Sequence, residues 1–193
     1  MAEVHSTFTL RPGDAAPEFQ LPAPDESMHD LHGLRGHEGL LVVFACNHCP
    51  YVIHLAAALG SLAAEIESHG VNTVAISSND IEKYPQDAPE RMATFAAEHC
   101  WDFPYLFDET QEVAKAYGAA CTPDFFLFDR ELRLYYAGQF DGTRPKSGQT
   151  PTGDDLRAAV TDMLAGKEPP ARPFPSSGCN IKWRAGSEPP YFA

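Results

Sequence analysis

Along the chain the hydrophobic positions change period several times, and each change marks an element. Leu40-Leu41-Val42-Val43-Phe44-Ala45 is an unbroken apolar run leading into Cys46. A run this short predicts a strand over 40–46 that is buried on both faces. Val52, Leu55, Leu59, Leu62 and Ile66 then recur at intervals of three and four, which predicts a helix from about 50 to 69, closed by Gly70. Val71–Ser77 returns to strand, with Val71, Val74 and Ile76 apolar. Two buried strands joined by one helix make a right-handed βαβ unit with a parallel pair. After a polar loop at 78–86, Asp87-Ala88-Pro89-Glu90 has the form of a helix start, with Asp as cap and Glu three residues on. That helix should reach about His99. Phe103–Phe107 reads as a short strand and Thr110–Tyr117 as a short helix ended by Gly118. Phe125–Phe128 and Leu132–Ala137 flank a turn at Asp129-Arg130-Glu131 and predict an antiparallel hairpin. Asp154–Ala165 is a last amphipathic helix, apolar at Leu156, Val160, Met163 and Leu164 and stopped by Gly166.

The two ends are patterned differently. Residues 1–39 are polar and broken by Pro and Gly, with short extended pieces at Thr7–Leu10, Phe19–Leu21 and near Met28–Leu31 and a turn at Arg11-Pro12-Gly13-Asp14. Residues 167–193 hold six of the 17 prolines and should be extended rather than regular. Phe174, Ile181, Trp183, Tyr191 and Phe192 suggest a tail pinned to the body. The division expected is one α/β domain over 1–166 and a Pro-rich tail over 167–193 packed on it.

Composition narrows the class. With 193 residues, 44% hydrophobic and 21% charged, the chain has the makeup of a globular domain with a substantial core. A net charge of −13 argues against nucleic acid and anionic membranes as partners. No stretch approaches about 18 apolar residues, so no membrane span is expected. Met1-Ala2-Glu3-Val4-His5 lacks the pattern of a signal peptide. Five cysteines, at 46, 49, 100, 121 and 179, are an odd number in a medium-sized chain and do not form a secreted disulfide framework. The expected compartment is the reducing cytoplasm.

The chemistry centres on Cys46-Asn47-His48-Cys49-Pro50, between the buried strand and the helix. C-x-x-C in that context points to dithiol redox chemistry. The helix N-terminus favours a thiolate, here expected on Cys46, and a protonated His48 would add to it. Lowering a thiol from pKa 8.5 to 6.5 raises its thiolate fraction at pH 7 from about 3% to about 75%. A structural zinc site needs a second ligand pair, and none has the spacing. His54, one turn into the helix, is expected to be exposed. Cys100, beside Trp101, and the three phenylalanines Phe125, Phe126 and Phe128 are expected in the core.

Several segments together resemble the thioredoxin-like superfamily, and within it the peroxiredoxin-like branch of alkyl hydroperoxide reductase/thiol-specific antioxidant proteins. Pro12-Gly13-Asp14-Ala15-Ala16-Pro17-Glu18-Phe19 is similar to the opening of that branch. Ala75-Ile76-Ser77-Ser78-Asn79-Asp80, Phe103-Pro104-Tyr105-Leu106-Phe107-Asp108 and Val113-Ala114-Lys115-Ala116-Tyr117-Gly118 follow in its order. The resemblance spans about 10–166 and implies a thioredoxin-like fold, a central mixed β-sheet flanked by helices. Cys121-Thr122-Pro123 resembles the cis-proline segment. This implies that Pro123 is cis beside the dithiol, that Thr122 offers its backbone to substrate, and that Cys121 lies near the dithiol as a third redox thiol or a small buried apolar residue.

The departures from the pattern also carry information. The peroxidatic position of the branch aligns with Cys49, but its Thr position is Cys46 and its Pro position Val42. The later arginine falls near Pro123, where no basic residue stands. The acid and Trp of thioredoxin are replaced by Leu40 and Ala45. His48 directly before the second Cys is similar to the oxidising periplasmic disulfide donors and implies a dithiol less reducing than thioredoxin.

The reading from sequence is therefore a thiol–disulfide oxidoreductase in antioxidant or thiol redox homeostasis. Cys46 attacks, Cys49 resolves, and protein or small thiols and disulfides are the partners. The reaction needs no cofactor. Cys179, in Ser176-Ser177-Gly178-Cys179-Asn180, is either an auxiliary thiol on a tail folded back to the site or an unpaired cysteine. Two alternatives use the same residues: an atypical thiol peroxidase, and a non-enzymatic Cu(I) or Zn(II) carrier built on Cys46, His48, Cys49 and Cys121. Electron donor and oligomeric state leave no mark in the sequence.

Overall fold

A computed structural model describes residues 3–192. In chain order the elements are β1 (Glu3–His5), β2 (Gln20–Pro22), β3 (Met28–Asp30), α1 (Leu31–Leu34), β4 (Gly39–Phe44), α2 (Pro50–Glu67), β5 (Val71–Ser77), α3 (Pro89–Glu98), β6 (Tyr105–Phe107), α4 (Glu112–Tyr117), β7 (Cys121–Thr122), β8 (Asp124–Asp129), β9 (Leu134–Gly138), α5 (Asp154–Leu164) and β10 (Ser177–Asn180). A single 3₁₀ turn, Pro85–Asp87, precedes α3.

The central sheet has the order β6-β5-β4-β8-β9. β4, β5 and β6 run parallel, and β8 and β9 run antiparallel to β4 and to each other. All six residues of β4 are buried, as its unbroken apolar run requires of a strand covered on both faces. Side chains alternate between those faces. Leu41 and Val43 face the layer formed by α2, α3 and α5, where Leu59, Met92, Phe95, Leu156 and Val160 pack. Leu40, Val42 and Phe44 face the other side, filled by Phe19 and Leu21, by Tyr117 of α4, and by Ile181 and Trp183 of the tail.

Several elements differ from expectation, each for a local reason. No strand forms at Thr7–Leu10; the N-terminal strand is Glu3–His5. β4 stops at Phe44, so Ala45 and Cys46 leave the sheet as a loop. Asp87 does not cap α3: Ala88 holds that position with no side-chain cap bond. Cys100 is exposed, because its positive φ of 56° at the end of α3 turns it out while Trp101 turns in. His54 is half-buried and bonds Thr143 Oγ1 at 3.0 Å. Leu164 is exposed at the end of α5.

The tail is the largest departure. Its prolines sit on either side of Ser177–Asn180, and that proline-free stretch forms β10. β10 lies between β1 and β7, antiparallel to both, with Cys179 opposite Thr122 and Asn180 opposite Cys121. Ile181 and Trp183 are buried behind it, whereas Phe174 and Phe192 are exposed. Tyr191 donates its hydroxyl to the carbonyls of Ala114 and Ala119.

Candidate active site

Cys46 lies in the loop after β4 and Cys49 is the N-cap of α2, with Pro50 supplying the first helical residue. Proline is at home there because its missing N–H would have no helical partner. The loop places both sulfurs against Thr122 on β7. Cys46 Sγ is 3.4 Å from Thr122 Oγ1, and Cys49 Sγ donates to the Thr122 carbonyl at 3.0 Å. The peptide between Thr122 and Pro123 is cis. Both thiols are free and at most 1% exposed. A cavity of about 20 Å³ borders Pro123, lined by Tyr51, His54, Arg144 and Ser177, and holds no more than a water-sized guest.

Four of the expected site residues, Cys46, Cys49, Thr122 and Pro123, thus meet in one place. His48 stands at the edge, its Nδ1 4.0 Å from Cys46 Sγ and its ring stacked on Tyr84 at 5.5 Å. Cys179 joins the same group, since it sits opposite Thr122 in the β10–β7 pair and shares the buried cluster of Cys46 and Cys49. Cys121 does not join it. Its neighbour Thr122 faces the dithiol, and strand alternation turns Cys121 away, toward the Pro123 carbonyl at 3.5 Å. Burial pushes the Cys121 thiol up, and the nearby Asp124 adds to this.

The two thiols of the motif are not equivalent, and the difference runs against the expected order. Burial pushes the Cys46 thiol up, and the neighbouring Cys49 and the Asp87 carboxylate push the same way. Cys49 is pulled down by its thiol neighbours, Cys179 first and then Cys46, which outweigh burial. The surroundings thus favour a negative charge on Cys49 over one on Cys46.

Asp87 is the residue that sequence reasoning missed. Its carboxylate is fully buried and accepts from the backbone N–H of Asn47 at 2.9 Å and of His48 at 3.3 Å. It also pairs with His48 Nδ1 at 2.7 Å and accepts from Asn79 Nδ2 at 2.8 Å. The loop donors that could have faced a Cys46 thiolate are thus turned to a carboxylate. Asn47 is fixed further by Gln86 and by Tyr105 Oη at 3.1 Å. The available signal was topological. Asp87 belongs to the connection leaving the carboxyl end of β5, beside the carboxyl end of β4, where α/β sheets build their sites. Cys46, His48 and Asp87 also offer sulfur, nitrogen and oxygen atoms within 4.8 Å of one another, a group that includes neither Cys49 nor Cys121 of the metal set read from the sequence.

A dithiol at the start of a helix, facing a cis-proline across a mixed sheet, defines a thioredoxin-like protein, and solved structures agree. An uncharacterized conserved protein from Geobacillus kaustophilus superposes with a TM-score of 0.91 at 46% identity, covering 95% of this chain and 97% of its own. A hypothetical protein from Sinorhizobium meliloti gives 0.90 at 46% identity, with 94% and 99% covered. Residues 12–137 match the AhpC/TSA family, and the chain belongs to it. Among curated relatives, peroxiredoxin Bcp of Escherichia coli is 28% identical over 135 residues, 69% of this chain and 81% of that one. A putative peroxiredoxin of Mycobacterium tuberculosis is 32% identical over 113 residues, 58% of this chain and 67% of that one.

Proposed function

We propose that this protein is a thiol–disulfide oxidoreductase that works through the Cys46–Cys49 dithiol in antioxidant or thiol redox homeostasis. The observation that carries the reading is the meeting of the two sulfurs on Thr122, beside the cis bond to Pro123. Membership of a family of thiol oxidoreductases supports it. With both sulfurs against one residue, loss of two electrons and two protons from the pair can join them at the disulfide length of about 2.05 Å.

The geometry supports the following sequence. The proton of Cys46 passes to the Cys49 sulfur. The resulting Cys46 thiolate, on the side of the half-buried His48, attacks one sulfur of a substrate disulfide and expels the other as a thiolate. Cys49 then gives up its proton and attacks the mixed disulfide at Cys46, releasing the second substrate thiol and leaving a 46–49 disulfide. One substrate disulfide becomes two thiols, and a donor thiol must later restore the dithiol.

Thr122 supports a substrate role less well than its sequence position implies. Its strand already pairs with β10, so an extended peptide would have to displace the chain's own tail from that edge. This favours low-molecular-weight disulfides over peptide strands. Steady-state reduction of glutathione disulfide and of insulin tests the reading. Cys46→Ser should abolish turnover and Cys49→Ser should trap a mixed disulfide; full activity in Cys46→Ser would refute it.

A second reading is favoured by the acidity of Cys49 together with the family. There Cys49 is oxidised by a hydroperoxide to a sulfenate and Cys46 resolves it, releasing water. Stopped-flow mixing with hydrogen peroxide separates the two, because a rate no faster than that of free cysteine excludes the peroxidase.

A further inference from the structure

We propose that Cys179 is a third redox thiol, carried on the tail strand, and that the disulfide moves between the 46–49 and 49–179 positions. The inference rests on the dithiol reading above and adds a partner for it that is part of the chain itself.

Four observations lead to it. Cys179 is the largest influence holding the Cys49 thiol below its ordinary value, and Cys46 is the next. Cys179 is 3% exposed and shares the apolar cluster of Cys46 and Cys49. It is held there by the antiparallel register of β10, which sets Cys179 opposite Thr122, the residue both motif thiols touch.

Gly178 makes that register specific. A Cβ at this position would lie 2.0 Å from the Thr122 carbonyl oxygen, so only glycine lets the backbones come this close. The tail beyond Cys179 is tied to the same loop network. Lys182 N donates to Asn79 Oδ1, and Asn79 Nδ2 donates to Asp87. The strand that carries Cys179 is thus as firmly seated as the loop that carries Cys46.

The step balances without an outside oxidant. Starting from the 46–49 disulfide made by substrate reduction, the Cys179 sulfur attacks Cys49 Sγ. The 49–179 bond forms as the 46–49 bond breaks. The electron pair of the old bond leaves on Cys46, and the proton given up by Cys179 ends there. The result is a free Cys46 and an oxidised link between the start of α2 and the tail.

The test uses the full chain with Cys46→Ser, and Cys46→Ala as a second variant in case the first fails to fold, each with its circular dichroism compared with wild type. Diamide supplies the oxidation, taking two electrons and two protons from the thiols. Trypsin releases Cys49 in peptide 36–83, Cys179 in 168–182 and Cys121 in 116–130, so the three partners are resolved by mass. The expected result is loss of two titratable thiols and a 36–83/168–182 cross-link, abolished by adding Cys179→Ala. Free thiols at Cys49 and Cys179 in a folded variant, or a cross-link from 36–83 to 116–130 instead, would overturn the proposal. Wild-type turnover of glutathione disulfide is measured in parallel. A cross-link in Cys46→Ser without wild-type turnover overturns the dithiol reading alone, and turnover without the cross-link overturns the third thiol alone.

Discussion

Asp87 and Asp124 are both carboxylates sealed from solvent, both on connections that lead to the thiols, and they are treated differently. Asp87 has an imidazole nitrogen, His48 Nδ1, within 2.7 Å and three further partners in Asn47 N, His48 N and Asn79 Nδ2. Asp124 follows the cis-proline and has only neutral donors. Ser6 Oγ donates to it at 2.7 Å and Ala120 N at 3.2 Å. Burial therefore pushes the Asp124 carboxyl up to about 6. A buried carboxylate met by an imidazole and three N–H donors can organise a loop, whereas one with few hydrogen bonds is pushed up by burial and makes stability depend on pH.

The largest expected effect comes from removing the better-served carboxylate. Asp87→Ala leaves two loop N–H groups and the His48 ring without their acceptor. Breaking a buried pair from one side costs about 3–5 kcal/mol. Urea unfolding at pH 7 measures it. A loss below about 0.5 kcal/mol, the range of ordinary surface substitutions, would show that Asp87 does not hold the loop. The same variant should ease ionisation of Cys46, since a negative charge beside that thiol is gone; ultraviolet thiolate absorbance as a function of pH reads this.

Asp124 should give the next largest effect. Its folded pKa lies above the unfolded value, so the native state binds more protons between about pH 4 and 6. Its contribution therefore favours folding below that window and is lost as pH rises through it. The span corresponds to about 3 kcal/mol at most. Asp25, Glu65 and Asp141 are held low by hydrogen bonds and slope the opposite way. The difference between wild type and Asp124→Asn isolates the term: wild type should lose up to about 3 kcal/mol of unfolding free energy relative to Asp124→Asn as pH rises from 4 to 6, and the two should then stay apart to pH 8. Parallel curves would mean that Asp124 ionises inside the protein as it does in water.

How much of this could be read beforehand depends on range. The strand into Cys46, the helix after Cys49 and the hairpin of Phe125–Phe128 are local, and their apolar spacing declares them. Asp87 misled because Asp-Ala-Pro-Glu is also the form of a helix start. Its carboxylate instead serves Asn47 and His48, 40 and 39 residues away, and no local pattern encodes such a contact. Cys179 was visible as a candidate, but its place was not. Six prolines argued for an irregular tail, and the four residues between them formed a strand because β1 and β7 left a slot that Gly178 could enter. Cys100 was assigned to the core by its neighbour Trp101, and a single left-handed residue sent the two side chains in opposite directions. The unequal acidity of Cys46 and Cys49 depends on Cys179 and Asp87, so it could not have been read from C-x-x-C alone.

The smallest effect expected makes the two carboxylates alike. Removing the ring with His48→Ala leaves Asp87 with neutral donors only, the situation of Asp124, while its charge still faces Cys46. A negative charge near the pair raises the free energy of the thiolate forms of the reduced protein and leaves the uncharged disulfide untouched, so it destabilises the reduced state relative to the oxidised one. The reduction potential of the 46–49 couple should therefore fall. For a two-electron couple, about 1.4 kcal/mol is about 30 mV, and one lost partner at a half-buried site gives a shift of that order. Equilibration against glutathione buffers, read by alkylation and mass, measures it. A potential that rises, or one equally lowered in His48→Ala and in Asp87→Ala, would show that the imidazole acts on the sulfurs by something other than masking Asp87. The double variant separates the two routes, because with the carboxylate already gone the loss of His48 should move the potential by much less.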